Sequence, residues 1–313
     1  MKIGWKLLFL LLATLLLSLA ALFVGPVSDP SWTIIWKIRF PRTILAIIVG
    51  FGLAGAGAVL QGVLRNPLAD PFILGTSGAA TAGVILASIL GFQHYSVLYF
   101  LALGSALFSI LIVYKIAYIN GRAPIQTIVL AGVIVGLFCN AMVFIFFSIF
   151  YQESFSILYY LLGTLTEGDM TRIAISGTIV AVGLTTTWFM SRELNILTQG
   201  EDNAFHLGVE VETTKRLLFI MASTMVAGAV AVAGMIGFVG LVVPHMMRVI
   251  VGPDHRVLIP ASALGGAIFL LIADALAHTL LPPLEIPVGA LTALVGSPYF
   301  IYLLRKKRNT GEF

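Results

Sequence analysis

The sequence has little charge and almost no cysteine. Of its 313 residues, 10% are charged and 59% are hydrophobic, and the mean hydropathy is +1.03. A soluble globular protein carries about 25% charged residues, so this chain lacks the polar surface that would cover a soluble globule. Its single cysteine, Cys139, lies inside an apolar run. A single cysteine excludes a disulfide framework within the chain, and its apolar surroundings indicate a small packing residue.

Sequence motifs for enzymatic chemistry are also missing. The chain contains no G-x-x-x-x-G-K-[ST] phosphate loop, so we do not expect it to hydrolyse a nucleotide itself. The five histidines form no pair at metal-ligand spacing, and we predict neither a metal site nor a bound cofactor. A membrane-embedded enzyme would need His, Asp or Glu clustered at reacting distance, which the apolar runs do not supply. Any energy from ATP must therefore come from a partner protein.

Apolar runs of membrane-spanning length occupy most of the chain. About 18 to 20 apolar residues cross a bilayer as a helix, and the period-two alternation of a barrel is absent. We expect an all-α polytopic membrane protein, a single transmembrane domain over residues 1–313, in which the first run is a retained helix rather than a cleaved signal. The ten predicted spans are 6–24, 42–63, 73–91, 96–118, 126–148, 172–190, 215–233, 235–252, 258–278 and 286–304.

The basic residues indicate the orientation. An even number of spans puts both termini on one side, and a cytoplasmic location for that side collects 14 of the 18 cations there. The four that remain outside are Lys37, Arg39, Arg42 and Arg172. We therefore predict a multi-pass protein of the cytoplasmic membrane with both termini in the cytoplasm.

One polar connection is unusually long. The segment Ser191–Thr214 reads SRELNILTQGEDNAFHLGVEVETT between two apolar runs, and the predicted orientation puts it in the cytoplasm. Connections between spans are usually short, and longer ones tend to have a function. We expect this segment to contact a partner.

Small residues recur at helical spacing in two spans. The stretches from Gly50 (GFGLAGAGA) and from Ala227 (AGAVAVAG) favour close approach of helices. They lie in the second and seventh predicted spans, which run in opposite directions. This arrangement suggests an inverted repeat of spans two to five and seven to ten, which would place a transport path at the repeat interface.

Prolines and glycines interrupt the apolar pattern at two places. Arg65–Ala79 predicts an irregular cytoplasmic connection, and Gly234–Arg248 predicts a short bent helix at membrane depth. Asp274 is the carboxylate that lies well inside a span. It is either functional, as intramembrane ionisable groups tend to be, or paired locally near the outer end of its helix.

Six segments in series resemble the FecCD/BtuC-type permeases, the membrane subunits of type II ABC importers for iron-siderophore complexes, haem and vitamin B12. The resemblance begins near residue 30 and runs to the C-terminus in the family's order. The segments are Arg39–Arg42 (RFPR), Arg65–Ala79 (RNPLADP with ILGTSGA), Gly200–Val209 (GEDNAFHLGV), Gly234–Arg248 (GMIGFVGLVVPH with Arg248), Gly252–Arg256 (GPDHR) and Pro287–Phe300 (PVGALTALVGSPYF).

The resemblance implies a BtuC-like dimer of ten-span subunits, either homodimer or pseudo-dimer, in a prokaryotic inner membrane. Two ATPase subunits would bind on the cytoplasmic side and a periplasmic or lipid-anchored substrate-binding protein on the outer side. Within segment 191–214, it assigns ATPase coupling to a helix whose apolar plugs are Phe205 and Leu207. The residues that match this coupling pattern are Gly200, Glu201, Asp202, Ala204, Phe205, Leu207 and Gly208.

The resemblance also implies a docking site and a gate. Arg39 and Arg42 match arginines that form salt bridges with glutamates of the binding protein, and such rim charges mainly steer docking. A third family arginine aligns with His278 here, a departure that leaves this contact open and would make docking weaker or dependent on pH. Asn66 and Leu68 match residues that close the cytoplasmic mouth. The stretch Ile125–Thr127 falls at a second gate position but matches it poorly, so no gate role is assigned to it.

The cargo is not encoded in a recognisable motif. The resemblance favours a bulky iron complex, a siderophore, because most members of the family carry one; haem and cobalamin are the alternatives within the family. An ion-coupled secondary transporter would also have an inverted repeat, and for it Asp274 is the candidate ion site. Dependence of uptake on ATP rather than on an ion gradient would separate the two classes.

Overall fold

The protein is all-helical over the part of the chain that its computed structural model describes, residues 3–25, 30–92, 94–119, 121–149, 161–165, 169–282 and 284–310. Within these ranges the single β-type pairing is an isolated bridge between Ile119 and Arg122. We number the helices α1 Ile3–Ala21, α2 Phe40–Val63, α3 Thr76–Ile89, α4 Tyr95–Ala117, α5 Ile125–Ile149, α6 Met170–Phe189, α7 Ser191–Leu197, α8 Glu201–His206, α9 Val211–Ala233, α10 Val239–Val251, α11 His255–Thr279 and α12 Val288–Thr310.

Seven helical segments of the described chain are long and apolar enough to cross a membrane. They are α1, the run Trp32–Val63 that contains α2, and α4, α5, α6, α9 and α11. The other three predicted spans coincide with shorter apolar helices, Thr76–Ile89, Val239–Val251 and Val288–Ile301. The polytopic all-α class is therefore confirmed, whereas the count of ten spans and the inverted repeat stay predictions.

The second predicted span begins earlier than expected. The sequence predicted a start at residue 42, but helical structure begins at Trp32 and passes through a π-helical turn, Ile35–Arg39, into α2. In that turn the N–H of Phe40 donates to the carbonyl of Ile35, five residues back. The wider π turn accommodates Pro41, which has no N–H to donate, so the helix continues where a regular α-helix would be interrupted.

Helix α2 lies at the centre of the fold and packs against α9, α10 and α11. Its glycines permit this contact: a Cβ added to Gly50 would lie 2.5 Å from the carbonyl carbon of Gly266 on α11. On α9, every residue from Ala227 to Ala233 is buried. The prediction that the two small-residue stretches mediate close helix packing is confirmed.

Both predicted interruptions are present. After α2 the chain turns at Arg65, passes through a 3-10 turn at Pro71–Leu74 and starts α3 at Thr76. After α9, Gly234 and Phe238 both have positive φ, 69° and 67°, and the short helix α10 follows with Pro244 inside it. Positive φ is rare for a bulky residue such as phenylalanine, so the connection between α9 and α10 is locally strained.

Candidate coupling and docking sites

The polar segment 191–214 folds into two short helices, α7 and α8, followed by the start of α9. Leu197 of α7, Ala204 of α8 and Val209 are buried against the body of the protein. On the opposite side, Phe205 is 71% exposed and Leu207 is 63% exposed. Large apolar side chains with this exposure on a polar segment need another surface to cover them.

Local backbone features determine where α8 begins and ends. Gly200 before it and Gly208 after it have φ of 122° and 80°, conformations that glycine adopts without strain. Glu201 and Asp202 lie in its first turn, where a helix favours negative charge. The sequence therefore defines a compact helical turn that presents Phe205 and Leu207 together.

Helix α7 is attached to the start of α11. The Asn195 amide donates to Asp254 Oδ1 at 2.6 Å, and Asn195 Oδ1 accepts from the backbone N–H of His255 at 2.9 Å. Burial alone would raise the pKa of Asp254, but hydrogen bonds from the Arg256 N–H and from Asn195 lower it below its ordinary value. The carboxylate thus remains charged at neutral pH and holds α7 in place.

A buried lysine connects α8 to its surroundings. Lys215 on α9 is only 3% exposed, and its Nζ lies 3.1 Å from Glu201 Oε2 and 2.7 Å from Glu212 Oε1. It also donates to the carbonyl of Ala123 at 3.3 Å. On its other oxygen, Glu201 lies 3.7 Å from Arg65. These contacts bring together α8, α9, the connection after α2 and the connection before α5.

The predicted gate residues lie beside this ionic group. Asn66 Oδ1 accepts from the backbone N–H of Leu68 at 2.9 Å, which closes a turn directly after Arg65. A polar cavity of about 580 Å³ lies between α8 and the start of α5 and is lined in part by Arg65 and Gln126. A second cavity of about 430 Å³ is lined by Asn66, Gln126 and apolar residues of α5. The gate role of Asn66 and Leu68 stays a prediction.

The predicted docking arginines lie at the other end of α2. Arg39 is buried and donates to the carbonyl of Leu22 at 3.1 Å. Arg42 donates to both oxygens of Asp274, from Nε at 3.0 and 2.9 Å and from Nη2 at 2.9 Å. Its Nη1 reaches both oxygens of Glu285 at 3.2 Å. Both arginines are bound by groups of their own chain, and their docking role stays a prediction.

His278 belongs to the same cluster as Arg42 and Asp274. Its Nδ1 lies 3.9 Å from Asp274 Oδ2, one helical turn away on α11. Of the two interpretations of Asp274, local pairing is the one observed, because the guanidinium of Arg42 holds its carboxylate. An ion-coupled transporter would need that carboxylate for its driving ion, so this pairing argues against Asp274 as an ion site.

Sequence reasoning missed four participants in these clusters. Lys215 was counted only among the cytoplasmic cations, Glu212 was included only as part of segment 191–214, and Ala123 and Glu285 were not considered. The spacing of Glu212 and Lys215, three residues apart at the start of a helix, is a usual signal for an ion pair. The contact of Glu285 with Arg42, 243 residues away in sequence, had no local signal.

Comparisons with known proteins agree with this architecture. The sequence model of the FecCD transport family matches residues 6–306. The chain is 43% identical over 281 residues to the cobalamin import system permease protein BtuC of Halobacterium salinarum, covering 90% of this chain and 76% of that protein. It is 37% identical over 304 residues to the hemin transport system permease protein HmuU of Yersinia pestis, covering 95% and 90%. A solved ABC transporter of metal-chelate type, in an inward-facing conformation, matches with a TM-score of 0.89 at 30% identity over 97% of this chain and 100% of that one.

Proposed function

The chain belongs to the FecCD transport family, whose members are permeases of ABC importers, and from this we propose that it forms the translocation path for a bulky iron complex. In this proposal two copies of the chain form the path as a homodimer. Two separate ATPase subunits hydrolyse ATP on the cytoplasmic side, and a substrate-binding protein delivers the cargo on the other side. The chain itself is not an enzyme.

The observation that carries the proposal is the pair of exposed apolar side chains at the end of α8, Phe205 within it and Leu207 directly after it. Phe205 and Leu207 are exposed at the C-terminal end of a short helix that is anchored by buried Ala204 and by the ion pair of Glu201 with Lys215. These two side chains suit insertion into a cleft on an ATPase, because burying an aromatic or an aliphatic side chain contributes about 1.5 to 3 kcal/mol to binding. We assign the ATPase contact to the exposed face of segment 200–208.

The role of α8 is tested by replacing Phe205 and Leu207 with alanine. In proteoliposomes that contain the permease, its ATPase and its binding protein, we expect uptake and binding-protein-stimulated ATP hydrolysis to fall at least about tenfold. The matched control is Phe108→Ala with Leu111→Ala on α4, two side chains that are exposed to a similar extent far along the chain from α8. Wild-type uptake by the α8 variant would disprove the assignment.

On the outer side, we propose that the cluster of Arg42, Asp274, Glu285 and His278, with Arg39 behind it, meets the binding protein. The side chain of Arg42 is 14% exposed and that of Glu285 is 45% exposed, so the partner would meet a mixed-charge surface in which Glu285 is the most accessible group. Such a surface favours correct register of docking over attraction at long range.

We propose an iron-siderophore complex as the cargo. The metal-chelate class of the matched structure supports this choice, while the relatives named for cobalamin and hemin define the alternatives. The test is to purify the binding protein encoded beside this permease and to identify the ligand it retains by mass spectrometry and metal analysis. A bound corrinoid or haem in place of an iron chelate would correct the cargo and leave the importer assignment intact.

A further inference from the structure

Glu201 and the exposed apolar residues at the C-terminal end of α8 have different surroundings. Phe205 and Leu207 are exposed, whereas Glu201, at the first position of the same helix, turns toward Lys215 and Arg65. A carboxylate engaged by two cations of its own chain is poorly placed to bind a partner. Its contacts instead connect α8 to the interior of the permease.

Lys215 is the centre of that connection. Its ammonium group is almost completely buried and has three oxygen partners, on Glu201, Glu212 and Ala123. Glu212 also accepts from the backbone N–H of Ala123 at 3.1 Å, so the connection before α5 is bound through both its N–H and its carbonyl. A buried ammonium that loses its partners is strongly destabilised. The group is therefore expected to move as a unit when α8 moves.

A cavity beside these contacts makes them important for transmitting movement. The cavity of about 580 Å³ separates α8 from Gln126 at the start of α5, and it is lined by Arg65, Glu201 and Lys215. A cavity cannot transmit displacement, because close-packed atoms are required to pass strain from one element to the next. Side chains that bridge the rim of this cavity can do so.

From these observations we propose that Lys215, bridged by Glu201 and Glu212, is the positioning residue that transmits displacement of α8 to the connection 122–126 beside the inner mouth, while Glu201 reaches Arg65 of the connection 65–68 directly. The inference rests on the proposed function and deepens it. Phe205 and Leu207 contact the ATPase, and Glu201 and Lys215 carry the movement inward.

The first experiment measures coupling in the assembled importer. Lys215→Met removes the ammonium group while keeping a long side chain, Lys215→Arg keeps the charge, and Glu201→Gln removes one bridge. We expect Lys215→Met to bind its ATPase subunits normally and to retain basal ATP hydrolysis. The amount of cargo imported per ATP should fall about tenfold, with a smaller loss for Glu201→Gln and substantial recovery for Lys215→Arg. The control is Arg216→Gln, an exposed cation at the next position of α9, which should behave as wild type.

The second experiment follows the movement directly. In a Cys139→Ser background, single cysteines replace Asn203 on α8 and Gln126 on α5, both exposed. Addition of ATP to the assembled wild-type complex should change the maleimide labelling rate at both positions. In Lys215→Met the change should persist at position 203 and disappear at position 126.

The outcomes separate the inference from the function on which it rests. Failure of wild-type permease to bind any ATPase would contradict the proposed function. The inference alone would be overturned if Lys215→Met assembled normally, imported as much cargo per ATP as wild type and kept the ATP-dependent change in labelling at position 126. Loss of assembly in both Lys215→Met and Glu201→Gln would give the ionic group a purely structural role, which also overturns it.

Discussion

At the scale of single residues, two ionic groups each hold a largely buried cation between two carboxylates. Arg42 is bound by Asp274 and Glu285 near one end of α2, and Lys215 by Glu201 and Glu212 near the other. Removing a charge from water costs free energy that only several good hydrogen bonds offset. Each buried charge therefore depends on its partners, and the contribution of a partner to stability decreases as its own exposure increases.

Asp274 and Glu285 provide a test of this point, because both bind Arg42 but only Asp274 is buried. We expect Asp274→Asn to lower the free energy of unfolding by about 3 kcal/mol, since it leaves a largely buried guanidinium underpaired. The side chain of Glu285 is 45% exposed, so Glu285→Gln should lower the free energy of unfolding by only about 0.5 kcal/mol. Equilibrium unfolding of the purified permease in detergent measures both. Equal effects of the two substitutions would contradict the view that Asp274 is the main partner of Arg42 and that Glu285 adds little.

At the scale of elements, the length and apolar character of the helices were predictable, and their contacts only in part. Apolar runs located a helix at each predicted position, with two larger differences in bounds: the π turn at Ile35–Arg39 extends the helix before the predicted start of the second span, and α12 continues to Thr310. The stretches from Gly50 and Ala227 predicted close packing, because small residues permit it. They did not identify the partner: α11 faces Gly50, and this depends on how the helices assemble.

Alanine substitutions at two glycines distinguish the effect of helix packing on stability from the effect of helix propensity. Gly50→Ala would place a Cβ 2.5 Å from the backbone of Gly266, whereas a Cβ on Gly104 of α4 has no atom within 4 Å. We expect Gly50→Ala to destabilise the protein by about 1 to 3 kcal/mol through overpacking. Gly104→Ala should stabilise it by about 0.5 to 1 kcal/mol, because alanine loses less backbone entropy in a helix. The same unfolding assay compares them, and a neutral Gly50→Ala would show that α2 and α11 can separate at little cost.

At the scale of the whole molecule, two polar clusters lie at opposite ends of α2. That helix has 24 residues and is therefore about 36 Å long, enough to cross the hydrocarbon core of a bilayer. Arg42 precedes most of it and Arg65 follows it. This separation places the two clusters toward opposite sides of the membrane, and the distribution of basic residues predicts that the α8 end faces the cytoplasm.

The orientation predicts which side of the membrane each cluster faces. In a Cys139→Ser background, a cysteine at position 285 should react with a membrane-impermeant maleimide in intact spheroplasts. A cysteine at position 203 should react only after the membrane is permeabilised. Both parent residues are exposed, so access rather than burial decides the result. The opposite labelling pattern would invert the topology and remove α8 from reach of a cytoplasmic ATPase.

The sequence by itself determined the class of the protein, the approximate position of its apolar helices and the helix-breaking segments. These follow from composition, local periodicity and the backbone preferences of glycine and proline, all of which act over a few neighbouring residues. The tertiary structure alone decided that Arg42 is bound by Asp274 and Glu285, and that Glu201 turns inward to Lys215. Arg42 lies more than 200 residues from Asp274 and Glu285 in sequence, and only the packing of α2 against α11 brings them within hydrogen-bonding distance.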